Sequence, residues 1–304
     1  MSDILCTGSA GFIAQHTIRV LKAQGHAVVG LDRRRGEYVD FLLNICNYET
    51  MRQTLLRLRP EVVFHFAAFT SVRESMAAPT TYVENNIGGT LNVLRAVPAD
   101  SLKKVVFISS GGTVYGVPKR LPVSVADAVN PEDFYGLTKL AGEHIVRIWC
   151  QQRGIGWYNL RYPNVYGPGQ DPDGEAGVVA IFAKKMLNKG DPIINGTGTQ
   201  TRDFMFITDV ARETIRIAES FPSGTYNIGT GRETSVLEIY DALAGLTGYK
   251  GERKFGPAKV GEVARIALEP DYPPTSLIGL QDGLAATVEW MVESEHVSVE
   301  VEKP

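Results

Sequence analysis

Tyr135 and Lys139 stand four residues apart in the stretch Phe134-Tyr135-Gly136-Leu137-Thr138-Lys139. On a helix that spacing puts a phenol and an ammonium side by side on one face. An unperturbed tyrosine titrates near pH ~10 and is a poor base at neutrality, whereas a neighbouring cation favours the phenolate and draws its pKa towards the working range. The chemistry such a pair can do is to take a proton from a hydroxyl and give it back. Spacing alone does not decide the matter, because the same pair fits an ordinary surface helix and matches by chance are common. Context is supplied by the apolar run Val105-Val106-Phe107-Ile108 and the small residues Ser109-Ser110-Gly111-Gly112-Thr113 that follow it. In an open α/β sheet the chemistry sits beyond the carboxyl ends of the strands, so these serines are placed to assist Tyr135.

The elements that must position this pair begin at the N-terminus. A short apolar run, Ile4-Leu5-Cys6, leads into Thr7-Gly8-Ser9-Ala10-Gly11-Phe12-Ile13-Ala14 and then a helix-like stretch to Gln24. Strand, glycine turn and helix start together make a phosphate site, through close backbone approach, free amides and the helix dipole. Taken alone, the glycines fit a tight strand-helix turn equally well. The second apolar strand, Ala27 to Leu31, ends in Asp32, at about the ~20-residue offset where a carboxylate meets a ribose 2′-hydroxyl. That favours NAD over NADP, although Arg33, Arg34 and Arg35 follow at once and offer charge for a 2′-phosphate. A helix over Asn47 to Arg59 closes at Pro60, and Val62-Val63-Phe64-His65 reads as the next buried strand of a parallel sheet. His65 reads as a structural residue at a strand end. Thr81 to Ala96 has apolar residues at helical spacing despite Gly88 and Gly89, which weaken a helix by about 1 kcal/mol each and so suggest close packing there.

Composition bounds the rest. The 304 residues carry 31 basic and 34 acidic side chains, a net charge of -3, which offers no basic patch for nucleic acid. Hydrophobic residues make up 44%, enough for a substantial core in one large domain or two ordinary ones. Three scattered cysteines, Cys6, Cys46 and Cys150, suit neither a disulfide framework nor a metal cluster and point to a reducing compartment. With no secretory or membrane-spanning stretch evident, the expected location is the cytoplasm, with no membrane partner and no metal.

Several further motifs occur in order: His65-Phe66-Ala67-Ala68; Asn85-Asn86-Ile87-Gly88-Gly89-Thr90-Leu91-Asn92-Val93-Leu94; Leu160-Arg161-Tyr162-Pro163-Asn164-Val165-Tyr166-Gly167-Pro168-Gly169; and Gly196 to Phe204. With the glycine turn and Tyr135/Lys139, they make nearly the whole chain resemble the extended short-chain dehydrogenases/reductases of the nucleotide-sugar epimerase and dehydratase family. The resemblance implies a doubly wound parallel sheet of the Rossmann type binding NAD. Residues 1–165 would form the NAD-binding domain, rejoined by about 201–230, while 166–200 and 231–304 would form a smaller substrate region. It implies Tyr135 as acid/base, Lys139 as its cationic partner near the nicotinamide ribose, and Gly8, Gly11, Phe12 and Ile13 at the pyrophosphate. Asp32 and Arg33 would stand at the adenosine ribose, Asn44 and Ile45 beside adenine, and Phe66, Ala67, Ala68, Asn86, Ser109 and Tyr162 along the cofactor. Asn164, Val178, Arg202 and Lys259 would face a UDP-sugar or other nucleotide-sugar, Arg202 as a diphosphate clamp. Arg265 is an alternative to Lys259.

The chain departs from the family pattern in three places. Gly111 occupies the usual position of the catalytic hydroxyl, making Ser110 the candidate in its stead, on the substrate side. Thr70 stands where some 4-epimerases carry a lysine. The stretch Leu268 to Leu284 is short. No carboxylate precedes Val114-Tyr115-Gly116; Gly112-Thr113 stand there, which counts against a 4,6-dehydratase or a sugar-acid decarboxylase. The expected reaction is C4 epimerisation of a nucleotide-linked hexose, with a reductase or a non-catalytic NAD-sensing relative as other readings. The helix Gly136 to Gln152 presents Leu137, Leu140, Ile145, Ile148 and Trp149, either to the sheet or across a homodimer interface as in the family. The acidic tail from Glu293 has little core-forming pattern.

Overall fold

A computed structural model describes residues 3–173, 177–258 and 263–300, with side chains to 294. In the first half, β1 (Asp3–Thr7), α1 (Phe12–Ala23), β2 (Ala27–Asp32), β3 (Phe41–Leu42), α2 (Tyr48–Leu58) and β4 (Val62–His65) follow one another. Then come α3 (Val72–Ala77), α4 (Pro79–Tyr82), a π-helical turn (Val83–Gly88), α5 (Gly89–Ala96), β5 (Lys104–Ser110), α6 (Gly111–Val114), α7 (Phe134–Gln151) and β6 (Gly156–Tyr162). The second half runs β7 (Asn164–Tyr166), α8 (Val178–Leu187), β8 (Ile193–Asn195), β9 (Thr201–Arg202), β10 (Phe204–Phe206), α9 (Ile207–Ser220) and β11 (Gly224–Asn227). It closes with β12 (Thr234–Ser235), α10 (Val236–Thr247), β13 (Lys254–Gly256) and α11 (Leu280–Glu300).

Seven strands form one parallel sheet in the order β11-β6-β5-β4-β1-β2-β3. Strand order reverses between β1 and β4, and that switch opens a crevice beyond their carboxyl ends. Alternate residues of each strand face opposite layers. Ile4, Cys6, Val106 and Ile108 pack with Ile18 and Leu21 of α1 and with Val210 and Ile217 of α9. Leu5, Val105 and Phe107 pack on the other side with Met51 and Leu55 of α2, Val93 of α5, and Val146 and Cys150 of α7. A third core unites Tyr166, α8, α10 and α11 around Phe182, Phe204, Phe206 and Leu243. After β7 to β10, which lie outside this sheet, β11 rejoins it beside β6.

The stretch expected as one helix from Thr81 to Ala96 contains the π-helical turn. The wider turn buries Asn85 and Asn86 together. Close packing occurs at Gly89, where a Cβ would collide with Ile45, while a Cβ at Gly88 would meet only ordinary contact, 4.0 Å from Val83 O. On α7, Ile145 and Trp149 pack onto the sheet layer and Leu140 joins a small cluster with Val114 and Leu268; Leu137 and Ile148 stay exposed. The helical backbone of α11 continues past Glu293 to Glu300, beyond the end expected from its apolar pattern.

Candidate active site

At the first strand end, Gly8 has φ +72°, and a Cβ there would lie 2.6 Å from Ala67 N. Only glycine lets the turn after β1 press against the Phe66-Ala67 backbone after β4. Gly11 then opens α1 with no side-chain cap, so the amides of the first turn, Phe12 and Ile13 among them, keep their donors for an anion. Asp32 is buried at the tip of β2, its carboxylate accepting from Ala10 N at 3.0 Å and Arg34 N at 2.8 Å. Arg33 lays its guanidinium 4.5 Å from the centre of the Phe69 ring. Asn44 is exposed and accepts from Cys46 N at 2.9 Å, while Ile45 is buried against Gly89. An uncapped helix start, a turn that excludes a Cβ and a fixed carboxylate at the adjoining strand end fit the pyrophosphate and ribose of NAD. Because a 2′-phosphate would face Asp32, calorimetric titration should find NADP at least about tenfold weaker than NAD; tighter NADP would transfer the role to the arginines.

Asn86, expected along the cofactor, works as a brace. Its amide accepts from Phe69 N at 2.8 Å and donates to Phe69 O and Thr138 Oγ1, each at 3.0 Å, tying the loop after β4 to α7. His65 is buried between Thr7 Oγ1 at 2.7 Å and Thr90 Oγ1 at 2.9 Å. Burial, reinforced by Lys139, pushes its pKa down to about 3, so it stays neutral. The structural reading of His65 rests on those two hydroxyls, which lie 58 and 25 residues away in sequence.

The start of α7 is capped by Asp133, which accepts from Gly136 N at 2.7 Å. Tyr135, in the first turn, is partly buried, and Lys139, one turn on, is fully buried with its ammonium 4.5 Å from the Phe107 ring centre. Gly142 makes room for that ring, since a Cβ there would collide with it. Burial raises the Tyr135 phenol to about 12; a hydrogen bond with Ser110 works against the rise, and Asp133 and Tyr82 add to it. Lys139 is pushed down to about 7 by burial, with Glu143 opposing. The phenol therefore rises where a cationic neighbour was expected to lower it, because burial desolvates it.

Ser109 and Ser110 point to different places, as successive strand residues must. The Ser109 hydroxyl donates to Glu143 Oε1 at 2.5 Å, inside the protein, whereas Ser110 meets Tyr135. Ser109 can therefore approach a cofactor only through its backbone. The same holds for Tyr162, whose hydroxyl is joined to Thr214 at 2.5 Å in the core. A Cβ at Gly112 would sit 4.0 Å from Ser110 Oγ and 3.9 Å from Asn164 Oδ1, so both polar groups approach the same point.

Of the residues expected at the substrate, Asn164 is exposed at the start of β7, Val178 opens α8, and Arg202 lies on β9 opposite Thr234 with its guanidinium donating to Thr201 O at 2.7 Å. Lys259 lies outside the described residues. Arg265, the alternative cation, is held by Glu233 through bonds of 2.8 and 2.5 Å, and Thr201 binds the same carboxylate. Its charge is thus matched within the protein. Asp203, which the sequence reading passed over, is buried and accepts from the amides of Thr230, Gly231 and Leu268, locking three segments behind Arg202. Glu143 was passed over too, although its spacing of four from Lys139 repeats the spacing of Lys139 from Tyr135.

Comparison with known proteins identifies the family. The family model for the NAD dependent epimerase/dehydratase family matches residues 4–229. The UDP-glucose 4-epimerase of Mycolicibacterium smegmatis is 36% identical over 304 aligned residues, covering 94% of this chain and 97% of that protein. Among solved structures, the Thermotoga maritima UDP-glucose 4-epimerase with UDP-glucose superposes with a TM-score of 0.91 at 34% identity, covering 96% of this chain and 99% of that one. The Thermus thermophilus UDP-glucose 4-epimerase in complex with NAD gives 0.87 at 33% identity, covering 95% and 98%. This chain belongs to the NAD-dependent epimerase/dehydratase family, as an NAD-using enzyme of the UDP-glucose 4-epimerase-like kind.

Proposed function

We propose that the protein epimerises a UDP-hexose at C4. What most supports this is the arrangement of Ser110 at the end of β5 and Tyr135 in the first turn of α7, one helical turn from the buried Lys139, with Ser110 holding down the pKa of the phenol. Tyr135 takes the proton of the C4 hydroxyl and later returns it, and Ser110 donates a hydrogen bond to the oxygen as negative charge develops. Lys139, when charged, favours the phenolate. Bound NAD would accept and return a hydride at the sugar carbon, the redox part of the reaction. Asn164 and Val178 border the sugar side, and Arg202 presents a planar cation suited to the diphosphate.

No carboxylate stands at Gly112 or Thr113, the two positions before Val114, so a 4-keto sugar would meet no second acid/base there to drive loss of water or carbon dioxide. Return of hydride to its other face is the remaining course. The relatives named as UDP-glucose 4-epimerases, and the Thermotoga structure holding UDP-glucose, support a uridine diphosphate hexose as substrate. Incubation with UDP-glucose, UDP-galactose, UDP-N-acetylglucosamine and UDP-glucuronic acid, with products identified by NMR, should show interconversion of a C4 pair. A panel with no epimer among its products would refute the assignment. We read the enzyme as cytoplasmic and as a homodimer joined through the exposed side of α7 at Leu137 and Ile148; light scattering at twice the chain mass is expected, and a monomer would contradict it.

A further inference from the structure

Behind the reacting groups lies a buried charge system that the proton transfer described above does not use. Glu143 is buried on α7, one turn beyond Lys139, and forms an ion pair with Arg161 of β6 through bonds of 2.7 Å from Nη2 and 3.0 Å from Nε. Arg161 also donates to the Tyr115 hydroxyl at 2.8 Å, and Tyr115 donates to Asn227 Oδ1 at 2.6 Å. The Glu143 backbone carbonyl accepts from Asn159 at 3.1 Å, and its carboxylate takes the Ser109 hydroxyl. The network therefore bolts together α7, the carboxyl half of β5, β6, the segment after α6 and the end of β11. Of these elements, α7 carries Tyr135 and Lys139, and β5 ends in Ser110.

We propose that Glu143 is a positioning residue of the reaction: it supplies the buried counter-charge of Lys139 and, through Ser109, pins the end of β5 so that Ser110 meets Tyr135. The inference rests on Tyr135 and Lys139 being the acid/base pair. Residues four apart on a helix are neighbours, so the carboxylate and the ammonium lie within one turn of each other. The other groups facing Lys139 do not anchor a cation as a carboxylate does. From β5 it meets the Phe107 ring, and from β4 the neutral His65. Asp133 and Tyr82 act on Tyr135, and Arg161 and Tyr115 face Glu143 from the opposite side. Burial opposes the charge on Lys139 and Glu143 sustains it, so the sign is fixed: without the carboxylate, Lys139 loses its proton at lower pH. The activity that needs the charged lysine must then fail at lower pH as well.

The test uses the full chain reconstituted with NAD, as wild type, Glu143→Gln and the double variant Glu143→Gln/Arg161→Gln, with folding followed by circular dichroism. The double variant removes the Arg161 charge that Glu143→Gln alone would leave without its partner, and decides the question should the single variant fail to fold. Lys139 is titrated by NMR of isotopically labelled lysine, its signal identified by its loss in Lys139→Met. In both variants its midpoint should fall by about one unit, and the alkaline limb of kcat should move down with it. At the wild-type midpoint, about a tenth of the lysine would then remain charged. An unmoved midpoint and limb, or full recovery of the wild-type profile in the double variant, would reduce Glu143 to a packing role and overturn the proposal. If instead Tyr135→Phe turned over like wild type, the acid/base reading itself would fall, while the lysine titration would still report on Glu143.

Discussion

Tyr135→Phe should keep its fold and its binding of NAD while turnover drops by at least about 100-fold, the lower range for loss of a general acid/base. The substitution removes one oxygen at a partly buried position where Ser110 is the hydrogen-bonding neighbour, and the ring that fills the space remains. Little stability should be lost, because the helix start is secured separately by the Asp133 cap on Gly136 N. Equal NAD affinity by calorimetry together with the lost rate would locate the defect in proton transfer. Turnover at the wild-type level would remove Tyr135 from the chemistry.

The second large effect is expected from Ser110→Ala, with kcat lowered by about 100-fold, the size seen when a hydrogen bond to a developing oxyanion is withdrawn. Ser110 does two things that alanine cannot. It offers a donor near Asn164, across Gly112, and it holds down the pKa of the phenol, which burial drives up to about 12. Ser109→Ala is the informative control. Its hydroxyl is committed to Glu143 inside the protein, so that variant should show lower stability in denaturant titration and a smaller loss of rate. If Ser109→Ala instead abolished turnover and Ser110→Ala did not, the roles assigned to the two serines would be exchanged.

Those adjacent serines show where the sequence was legible and where it was not. Apolar runs ended by Gly8, Asp32, His65 and Ser110 reveal a parallel sheet, and the run of motifs reveals the family, because both are local patterns. Which of two neighbouring hydroxyls reaches the phenol depends on the pleat of β5 and on Glu143, which stands 34 residues further along the chain from Ser109. The π-helical turn was hidden for a related reason. Apolar spacing from Thr81 to Ala96 fits an unbroken helix, and only the bonds of Asn86 to Phe69 and Thr138 show what the extra residue in the turn accomplishes. Arg265 looked available for a diphosphate because its partner, Glu233, lies 32 residues away. The pKa of Tyr135 went the other way from the simple expectation, since a spacing of four reports the nearness of a cation but not the depth at which both groups lie.

The network of Glu143, Arg161 and Tyr115 has a further consequence for stability. A buried ion pair contributes little over an apolar pair of the same shape, but breaking it by removing one partner typically costs about 3–5 kcal/mol, since a charge is left uncompensated. Truncation of Arg161 alone is thus expected to harm folding more than removal of both charges.

In the proposed reaction one carbon of the sugar loses and regains the same hydride while Tyr135 handles the proton. The direct measurement uses a UDP-hexose carrying deuterium at C4, incubated with the NAD-loaded enzyme and followed by NMR and by absorbance of reduced nicotinamide. The expected result is the C4 epimer with the label still at C4 and no NADH accumulating in solution. A 4-keto-6-deoxy sugar, a pentose or stoichiometric NADH from every accepted substrate, or loss of the label to solvent, would contradict it.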